Sequence, residues 1–331
     1  MPDKLYIRAD GNSRIATGHI MRCLSIASEV NRLSDIPVSF IISDEESRVL
    51  LAERINAFPQ KVRVNSVVET DVPYDKPEGE LRFLSELFAD EPGGFLLADS
   101  YFIDNNYFSV LSGRVSLGFI DDIHAFDPKV DLLVNYIPPV PGQETPYHAP
   151  SRTLTGPDFA PVRREFTETA YEIRERASDI LVSCGGMSNE WTEKILRALS
   201  DIPGVRPLPP TNLVAQEFAS SDILVSAAGS TLYEAAAMGI PTVSVVTADN
   251  QIPNAEAFDR LGVIPYAGDL RQGQTAFDRL HEFVSVLTAP DSYEVRKQRN
   301  AGLKDLVDGQ GARRIAEAIM KAGHFEFRSI L

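Results

Sequence analysis

The run LYIRADGNSRIATGHIMRCL, residues 5–24, gives the first indication of the fold class. Its apolar residues 5–7 predict a short buried strand, and the polar, glycine-bearing residues 10–14 predict a loop. A helix is predicted over residues 17–33, because apolar residues recur there at the spacing of one buried helical face. A strand that passes through a short loop into a helix is the building unit of a parallel α/β sheet.

The alternation of short strands and helices continues along the chain. Strands are predicted at residues 37–42, 95–98, 115–120, 131–134, 180–183, 223–226 and 242–246. Residues 136–161 hold seven prolines and predict a loop that joins two domains. The predicted fold is therefore α/β, with two Rossmann-like domains, residues 1–160 and 161–331, that face each other across a cleft. The second domain is expected to carry the C-terminal helices, over residues 292–322.

The composition bounds the class of protein. Hydrophobic residues make up 44% of the 331 residues and charged residues 24%, as in ordinary globular domains. The 32 basic and 47 acidic side chains leave a net charge of −15, which repels a phosphate backbone, so we expect no nucleic-acid partner. The start of the chain has no signal-peptide pattern and no run is long enough to span a membrane, which predicts a cytoplasmic protein. Cys23 and Cys184 stand far apart and indicate neither a disulfide framework nor a zinc site.

The loop after the first strand is the first candidate site, because ligands of open α/β sheets bind beyond the carboxyl ends of the strands. Thr17 suits the N-cap position of the following helix, and His19 then falls in the first helical turn. There the helix dipole favours the neutral imidazole, which is able to accept a proton. A histidine that only caps the helix or packs in the core is the alternative.

Two glycine turns follow strands of the second domain. Each offers small residues and free backbone N–H groups at the start of a helix, where a diphosphate is stabilised. The residues concerned are Gly185, Gly186 and Met187 in the first turn and Gly229, Ser230 and Thr231 in the second. Neither matches a dinucleotide or P-loop motif, so plain tight turns are the alternative. Glu234, one turn into the second helix, either accepts hydrogen bonds from ribose hydroxyls or is a solvated carboxylate favoured by the helix dipole.

Other polar side chains also follow strands. Asn250 and Gln251 place two amides after the strand that ends at residue 246, where they bind either a sugar or only their own turn. Asp121 and Asp122 follow a strand of the first domain, and a solvated acidic turn is favoured there over a divalent-metal site. No metal site is therefore predicted.

Residues 8–24, RADGNSRIATGHIMRCL, closely resemble the N-terminal signature of the PseG family. These are UDP-2,4-diacetamido-2,4,6-trideoxy-β-L-altropyranose hydrolases, related to spore-coat polysaccharide proteins of the SpsG type. The resemblance extends over nearly the whole chain, with matching segments in family order at residues 99–101, 119–122, 156–166, 185–186, 228–234 and 248–251. The N-terminal signature and the segment at 248–251 are specific, whereas the glycine pairs occur in many sugar-nucleotide enzymes.

The resemblance implies the two-domain GT-B architecture of the MurG glycosyltransferase, with UDP held mainly by the C-terminal domain. It also implies hydrolysis by attack of water at the anomeric carbon, with inversion and without a metal or other cofactor, in pseudaminic acid biosynthesis. His19 would deprotonate the water, while Tyr101 and Asn250 support the sugar and the reacting centre. The residues expected to bind the nucleotide or the rest of the substrate are Asp10, Gly11, Arg14, Gly18, Gly185, Gly186, Met187, Gly229, Ser230, Thr231, Glu234 and Gln251. The expected partner is a small UDP-sugar, bound by a monomer, with no nucleic acid and no membrane.

Two departures from the family pattern bear on this prediction. Ser188-Asn189 stands where the family usually has an Asp-Pro pair. The chain is also short at residues 202–211, where relatives carry a further strand and helix, so the C-terminal domain is predicted to lack one strand-helix unit. The alternatives to a hydrolase are a GT-B glycosyltransferase, which would use an acceptor hydroxyl in place of water, and a sugar-nucleotide-binding protein without turnover.

Overall fold

The computed structural model describes residues 4–90, 93–139, 147–184 and 189–328. The chain divides into two compact units: unit 1 contains residues 1–161 and 310–331, and unit 2 contains residues 162–309. In the described residues, unit 1 holds a sheet of seven strands and unit 2 a sheet of five. The predicted α/β class is confirmed. No helix within the described ranges is long and apolar enough to cross a membrane.

Unit 1 is built on a parallel sheet. Its strands are β1 (Leu5–Ala9), β2 (Val38–Ile42), β3 (Ser66–Glu69), β4 (Phe95–Asp99), β5 (Ser116–Ile120), β6 (Leu132–Asn135) and β7 (Thr153–Thr155). They lie in the order β3-β2-β1-β4-β5-β6-β7, and each neighbouring pair is parallel. The strand order reverses between β1 and β4, so the loops that leave these two strands open at a topological switch point.

The edge strands β3 and β7 were not predicted from the sequence. Both are short and only partly buried, so they lack the continuous apolar run that marks the central strands. β7 lies inside the proline-rich stretch that was expected to be a loop throughout, and it pairs with β6.

The helices that follow the early strands of unit 1 are α1 (Gly18–Leu33), α2 (Glu45–Ala57), α3 (Leu81–Asp90) and α4 (Asn105–Leu111). α1 is buried along most of its length. Two of the others begin at an aspartate that caps the helix: Asp44 accepts the backbone N–H of Ser47 at 2.9 Å, and Asp104 accepts that of Tyr107 at 3.0 Å. An aromatic core that includes Phe88, Phe108 and Phe119 lies under α3 and α4.

Unit 2 repeats this plan with a smaller parallel sheet. Its strands are β8 (Ile180–Ser183), β9 (Val205–Pro207), β10 (Ile223–Ala227), β11 (Thr242–Val246) and β12 (Tyr266–Asp269), in the order β12-β11-β10-β8-β9. Its helices are α5 (Glu165–Glu168), α6 (Asn189–Ala198), α7 (Val214–Ser220), α8 (Thr231–Met238), α9 (Ile252–Arg260), α10 (Gln274–Thr288) and α11 (Tyr293–Leu306). Val182, Val225 and Val243 share one buried cluster with Leu280 and Val284 of α10.

Residues 202–211, where the sequence predicted a missing strand-helix unit, contain β9. This strand pairs in parallel with β8, and α7 follows it. Three residues are too few to show the alternating pattern that predicts a strand, and this one lies at the sheet edge with little burial.

The last helix, α12 (Gly311–Ala322), belongs to unit 1 and not to the C-terminal domain in which it was expected. It packs along α1 and buries an apolar face that includes Ile315 and Ile319. Gly311 lies so close to Ala160 that a Cβ would stand 2.1 Å from its carbonyl oxygen. The periodicity of this segment predicts an apolar helix face but carries no information about which sheet layer receives it.

Candidate active site

The loop between β1 and α1 is a tight polar turn. Oδ1 of Asn12 accepts the backbone N–H of Arg14 at 2.8 Å and that of Ile15 at 3.0 Å, so this side chain closes the turn. Ala16 has a φ of 60°, in the left-handed region that L side chains rarely adopt. Thr17 occupies the expected N-cap position, but among the described residues no side chain makes a cap hydrogen bond to α1. The start of this helix therefore lacks the acceptor that its sequence predicted.

His19 lies in the first turn of α1, with 4% of its surface exposed. Its Nδ1 is 2.7 Å from Oδ1 of Asp99, the last residue of β4, because β1 and β4 are neighbours in the sheet. Burial by itself raises the pKa of Asp99, but Arg22 and His19 more than offset this effect, so the pKa lies well below its usual range. An ionised carboxylate only accepts hydrogen bonds, so Nδ1 carries the proton. Nε2 is then the ring nitrogen that is able to take up a proton.

Arg22 lies one turn after His19 and connects the ends of three strands. Its Nε donates to Oδ2 of Asp99 at 2.6 Å. Its two Nη atoms contact Oδ1 of Asp99, Oδ2 of Asp122 and the hydroxyl of Tyr136. Burial by itself lowers the pKa of Arg22, but the charges of Asp122 and Asp99 outweigh it, so the pKa is raised well above its usual value. The cluster is thus a buried network of fixed charges.

Tyr101 packs edge-on against His19. The two ring centroids lie 4.5 Å apart, and the ring planes are inclined by 70°. The Tyr101 hydroxyl is 3.5 Å from Oδ2 of Asp122, at the outer limit of a hydrogen bond. Two of the three predicted catalytic residues are therefore neighbours in unit 1.

Asp121 and Asp122 have different partners. Asp121 accepts the backbone N–H of Ile123 at 3.2 Å and that of Ala125 at 3.0 Å, and the Tyr147 hydroxyl donates to it at 3.0 Å. It therefore closes the turn after β5, whereas Asp122 belongs to the network around His19. The described parts of the chain contain no group of three or more His, Cys, Asp or Glu residues arranged to hold a metal ion.

Asp10, predicted to bind substrate, is engaged inside unit 1. Its carboxylate accepts the backbone N–H of Ser43 at 2.7 Å and the Ser43 hydroxyl at 2.8 Å, and it pairs with Arg8. Arg8 is fully buried, and its Nε donates to Glu80 at 2.7 Å. These contacts favour a structural role for Asp10, which anchors the start of the loop that leads to His19.

The two glycines of this loop have different surroundings. A Cβ at Gly11 would lie 2.8 Å from the terminal methyl groups of Ile20 and Leu50 and 3.0 Å from the Ala16 carbonyl oxygen, so these neighbours would have to shift to admit a side chain. A Cβ at Gly18 would meet no heavy atom of the described residues within 4 Å. Arg14 is exposed. Gly18 therefore borders open space at the start of α1, as a residue in contact with a ligand would.

Unit 2 presents its glycine turn between β10 and α8. A Cβ at Gly229 would also meet no described atom within 4 Å. Ser230 is the N-cap of α8, Thr231 begins the helix, and no side chain of the described residues caps it. Nδ2 of Asn254 supports the turn by donating to the Ala228 carbonyl at 3.3 Å. The residues of the other predicted turn lie outside the described residues: Gly185, Gly186 and Met187.

Glu234 is buried, which excludes the solvated carboxylate that the sequence left open. Nε of Arg163 donates to its Oε1 at 2.7 Å, and Nη1 of Arg163 lies 2.7 Å from Oε1 of Glu165. The guanidinium of Arg163 also lies over the Phe166 ring, 4.6 Å from its centroid. Arg163 is a site residue that the sequence analysis did not identify, because no local periodicity connects it with a residue some seventy positions later.

Asn250 and Gln251 lie in the 3-10 turn Asp249–Gln251 that follows β11. Oε1 of Gln251 accepts the backbone N–H of Thr247 at 2.8 Å, so this amide closes its own turn. Asp249 pairs with Arg271 at 2.7 Å. A role of Asn250 in binding the sugar stays a prediction.

The sequence did not show that Arg22, Asp99, Asp122 and Tyr136 form one cluster with His19. Arg22 carries a local signal, since residues three apart share a helix face. The two aspartates follow predicted strands, but a strand pattern does not reveal which strands are neighbours in the sheet. Only the strand order brings these side chains together.

The two parallel α/β units have the GT-B fold of MurG-type glycosyltransferases. MurG of Acinetobacter baumannii matches with a TM-score of 0.65 at 14% identity, over 97% of this chain and 100% of MurG. A UDP-GlcNAc 2-epimerase from Neisseria meningitidis, solved with UDP-GlcNAc, matches with a TM-score of 0.60 at 11% identity, over 96% of this chain and 100% of the epimerase. Likeness at such low identity establishes the fold alone.

Sequence comparison indicates more specific relatives. The Helicobacter pylori pseudaminic acid cytidylyltransferase and UDP-2,4-diacetamido-2,4,6-trideoxy-beta-L-altropyranose hydrolase is 29% identical over 203 residues, which are 53% of this chain and 38% of that protein. The Bacillus subtilis spore coat polysaccharide biosynthesis protein SpsG is 23% identical over 208 residues, 53% of this chain and 58% of SpsG. The chain thus matches less than two thirds of the length of each relative. No protein-family model matches it.

Proposed function

We propose that this protein hydrolyses a UDP-linked 2,4-diacetamido-2,4,6-trideoxy hexose to the free sugar and UDP, in pseudaminic acid or related nonulosonic acid biosynthesis. The observation that carries this proposal is the buried hydrogen bond between Nδ1 of His19 and Asp99, which leaves Nε2 as a base at the carboxyl edge of the unit 1 sheet. The similarity to the H. pylori protein, whose name includes this hydrolase activity, supports the substrate class.

In the proposed reaction, Nε2 of His19 removes a proton from a water molecule. The water oxygen forms a bond to the anomeric carbon from the face opposite UDP, while the bond from that carbon to the β-phosphate oxygen breaks. UDP leaves with the electron pair, and the configuration at the anomeric carbon inverts. Asp99 stabilises the imidazolium, which then releases its proton to solvent. Tyr101, in contact with the imidazole, and Asn250 are proposed to support the sugar.

Unit 2 is proposed to bind UDP. Backbone N–H groups at the start of α8, around Gly229 and Ser230, suit a diphosphate, and Glu234 suits the ribose hydroxyls. Because these groups stabilise the charge on departing UDP, the reaction does not need a second carboxylic acid. We also propose that it needs no metal ion, since the carboxylates of Asp121 and Asp122 are already occupied by donors of the protein.

A GT-B glycosyltransferase is the second candidate function, because MurG shares the fold. It would employ the same base to activate an acceptor hydroxyl in place of water. The two functions differ in whether UDP is released in the absence of an acceptor.

The test is UDP release from a panel of UDP-sugars, including the 2,4-diacetamido-2,4,6-trideoxy altrose compound, with EDTA and without an acceptor. We expect the wild type to release UDP and His19→Leu to be slower by about 10²- to 10⁴-fold, since a general base contributes rate enhancement of this size. His148→Leu is the matched control, because His148 is an exposed histidine of the same unit. Tight UDP binding by the wild type without release would contradict hydrolysis, and the transferase or a binding protein without turnover would replace it.

A further inference from the structure

We propose that Arg22 is a positioning residue for this reaction: it holds the Asp99 carboxylate against His19 and limits how strongly the imidazole retains the proton that it takes up. The activity readouts of this inference rest on the proposed function, whereas its structural readout does not.

Asp99 is divided between His19 and Arg22. Its Oδ1 accepts from Nδ1 of His19 at 2.7 Å and is also in contact with Nη2 of Arg22, while its Oδ2 accepts from Nε of Arg22 at 2.6 Å. Nη2 of Arg22 lies 3.0 Å from Nδ1 of His19. A guanidinium has no acceptor, and Nδ1 already donates to Asp99, so this short distance joins two donors that share one oxygen.

In this arrangement two opposite charges act on the protonation of the His19 imidazole. The Asp99 carboxylate favours the imidazolium form of His19, and the adjacent guanidinium opposes it. If the imidazolium form of His19 were stabilised too strongly, the imidazole would already be protonated when water binds, and it could not act as a base. Without Asp99, the imidazole would lose its defined tautomer. Arg22 therefore moderates the effect of Asp99 without removing its hydrogen bond.

Arg22 is itself fixed from the far side. The guanidinium contacts Asp122 and the Tyr136 hydroxyl, and its carbon lies 5.7 Å from the Tyr136 ring centroid. The hydroxyl of Tyr136 donates to Asp122 at 2.9 Å. Only 5% of Arg22 is exposed. The planar guanidinium of arginine is able to donate to two carboxylates at once, whereas a lysine ammonium is a single point charge.

The ionisable groups around His19 come from several elements. Those of the described residues are Arg22 and Cys23 of α1, Asp99 of β4, Tyr101 after β4, Asp122 after β5 and Tyr136 after β6. Burial raises the pKa of Cys23 well above its usual value, so its thiol stays neutral. Asp99 and Arg22 are the charged groups within 3.0 Å of Nδ1, and they are therefore the pair that sets the balance.

The test compares Asp99→Asn with the double variant Arg22→Gln/Asp122→Asn, which removes the guanidinium together with the charge of Asp122 and leaves Asp99 with His19 as its partner. Without the guanidinium, the whole charge of Asp99 acts on the imidazolium, so the acid limb of the pH–activity profile should move to higher pH. In Asp99→Asn that charge is lost, so the limb should move to lower pH. We expect kcat of the double variant to fall by about 10²-fold through misplacement of the base, with KM little changed. A merely structural role would lower activity without shifts in opposite directions.

A second readout needs no substrate. The protein has five histidines, and the nitrogen-15 resonances of His19 are assignable by comparison with His19→Leu. In the wild type we expect the neutral His19 ring to carry its proton on Nδ1. The double variant should show the same tautomer but become protonated at higher pH. Asp99→Asn should show a change of tautomer. Arg32→Gln is the matched control on the same helix, because Arg32 is half-exposed and pairs with Glu29 at 2.9 Å.

The two readouts separate the proposals. If the wild type releases UDP but the double variant titrates and reacts like the wild type, the role of Arg22 is overturned and the proposed function stands. If His19 shows the expected tautomer and shift while no UDP-sugar is cleaved, the positioning role of Arg22 stands and the hydrolase proposal is overturned.

Discussion

The carboxyl edges of the two sheets carry different kinds of chemical group. In unit 1 the edge holds buried ionic side chains, His19, Arg22, Asp99 and Asp122, each with a named partner. In unit 2 the turn before α8 offers backbone groups beside Gly229, where a Cβ would meet only open space. A proton-transfer group must be held in one orientation, and buried ion pairs achieve this. A diphosphate is bound by dipoles and by room for close approach, which backbone and glycine supply.

The largest expected effect concerns the cost of burying charge in unit 1. Arg8→Met leaves Asp10 and Glu80 buried without their cation, and we expect a loss of about 3–5 kcal/mol of stability. Urea unfolding followed by circular dichroism measures this change. Trp191, the single tryptophan, lies in α6, so its fluorescence follows unit 2 separately.

The control for this variant is Arg82→Met, which removes an exposed ion pair with Glu86 in the same unit and should change the unfolding midpoint little. If Arg8→Met also leaves the circular dichroism midpoint unchanged, buried charge does not hold unit 1 together, and the contrast between the two edges is lost.

The second prediction separates binding from chemistry. Glu234→Ala should raise the Kd for UDP by about 10- to 100-fold, because a charge-assisted hydrogen bond is worth about 1.5–3 kcal/mol. The value of kcat at saturating UDP-sugar should stay close to that of the wild type, since Glu234 is not assigned to the reacting centre. Calorimetric titration of UDP and steady-state kinetics measure the two quantities.

Glu282→Ala is the matched control, because Glu282 is an exposed glutamate of α10 in the same unit. A Glu234→Ala variant with unchanged UDP affinity but much reduced kcat would reverse the roles assigned to the two units.

The smallest expected effect tests the open space at the glycine turn of unit 2. Gly229→Ala adds a methyl group that meets no described atom, so stability should be unchanged, while UDP affinity should fall by about tenfold, or 1.4 kcal/mol, as the methyl group blocks close approach. Gly11→Ala is the opposite case, since its Cβ would lie 2.8 Å from Ile20 and Leu50, and it should lose about 1–3 kcal/mol of stability through overpacking.

Thermal unfolding and UDP titration of both glycine variants decide between these expectations. Equal losses of stability in the two variants would mean that the turn before α8 is packed as tightly as the loop before α1. The contrast between open space at Gly229 and close packing at Gly11 would then be wrong.

Features that depend on a few neighbouring residues were predicted from the sequence, and features that depend on distant contacts were not. The strand, loop and helix at residues 5–33 agree with the structure to within a residue or two, because periodicity and turn chemistry act over a few positions. The edge strands β3, β7, β9 and β12 carry too short a pattern and were missed. For Gln251 the sequence left a sugar ligand and its own turn open, since an amide in a loop serves either purpose. The structure shows that its Oε1 closes the turn at Thr247, and a role in binding the sugar stays a prediction.

By itself, the sequence determined the α/β class, the presence of two such units, and the position of His19 in the first turn after the first strand. These follow from hydrophobic periods and turn residues, which are properties of short segments. Three features follow from the tertiary structure and not from local patterns: β4 lies beside β1, so that Asp99 contacts His19 and Arg22; Arg163 pairs with Glu234; and α12 belongs to unit 1. Such contacts join residues that are far apart in the chain. A local pattern indicates that a surface is buried, but it does not indicate which other element packs against that surface.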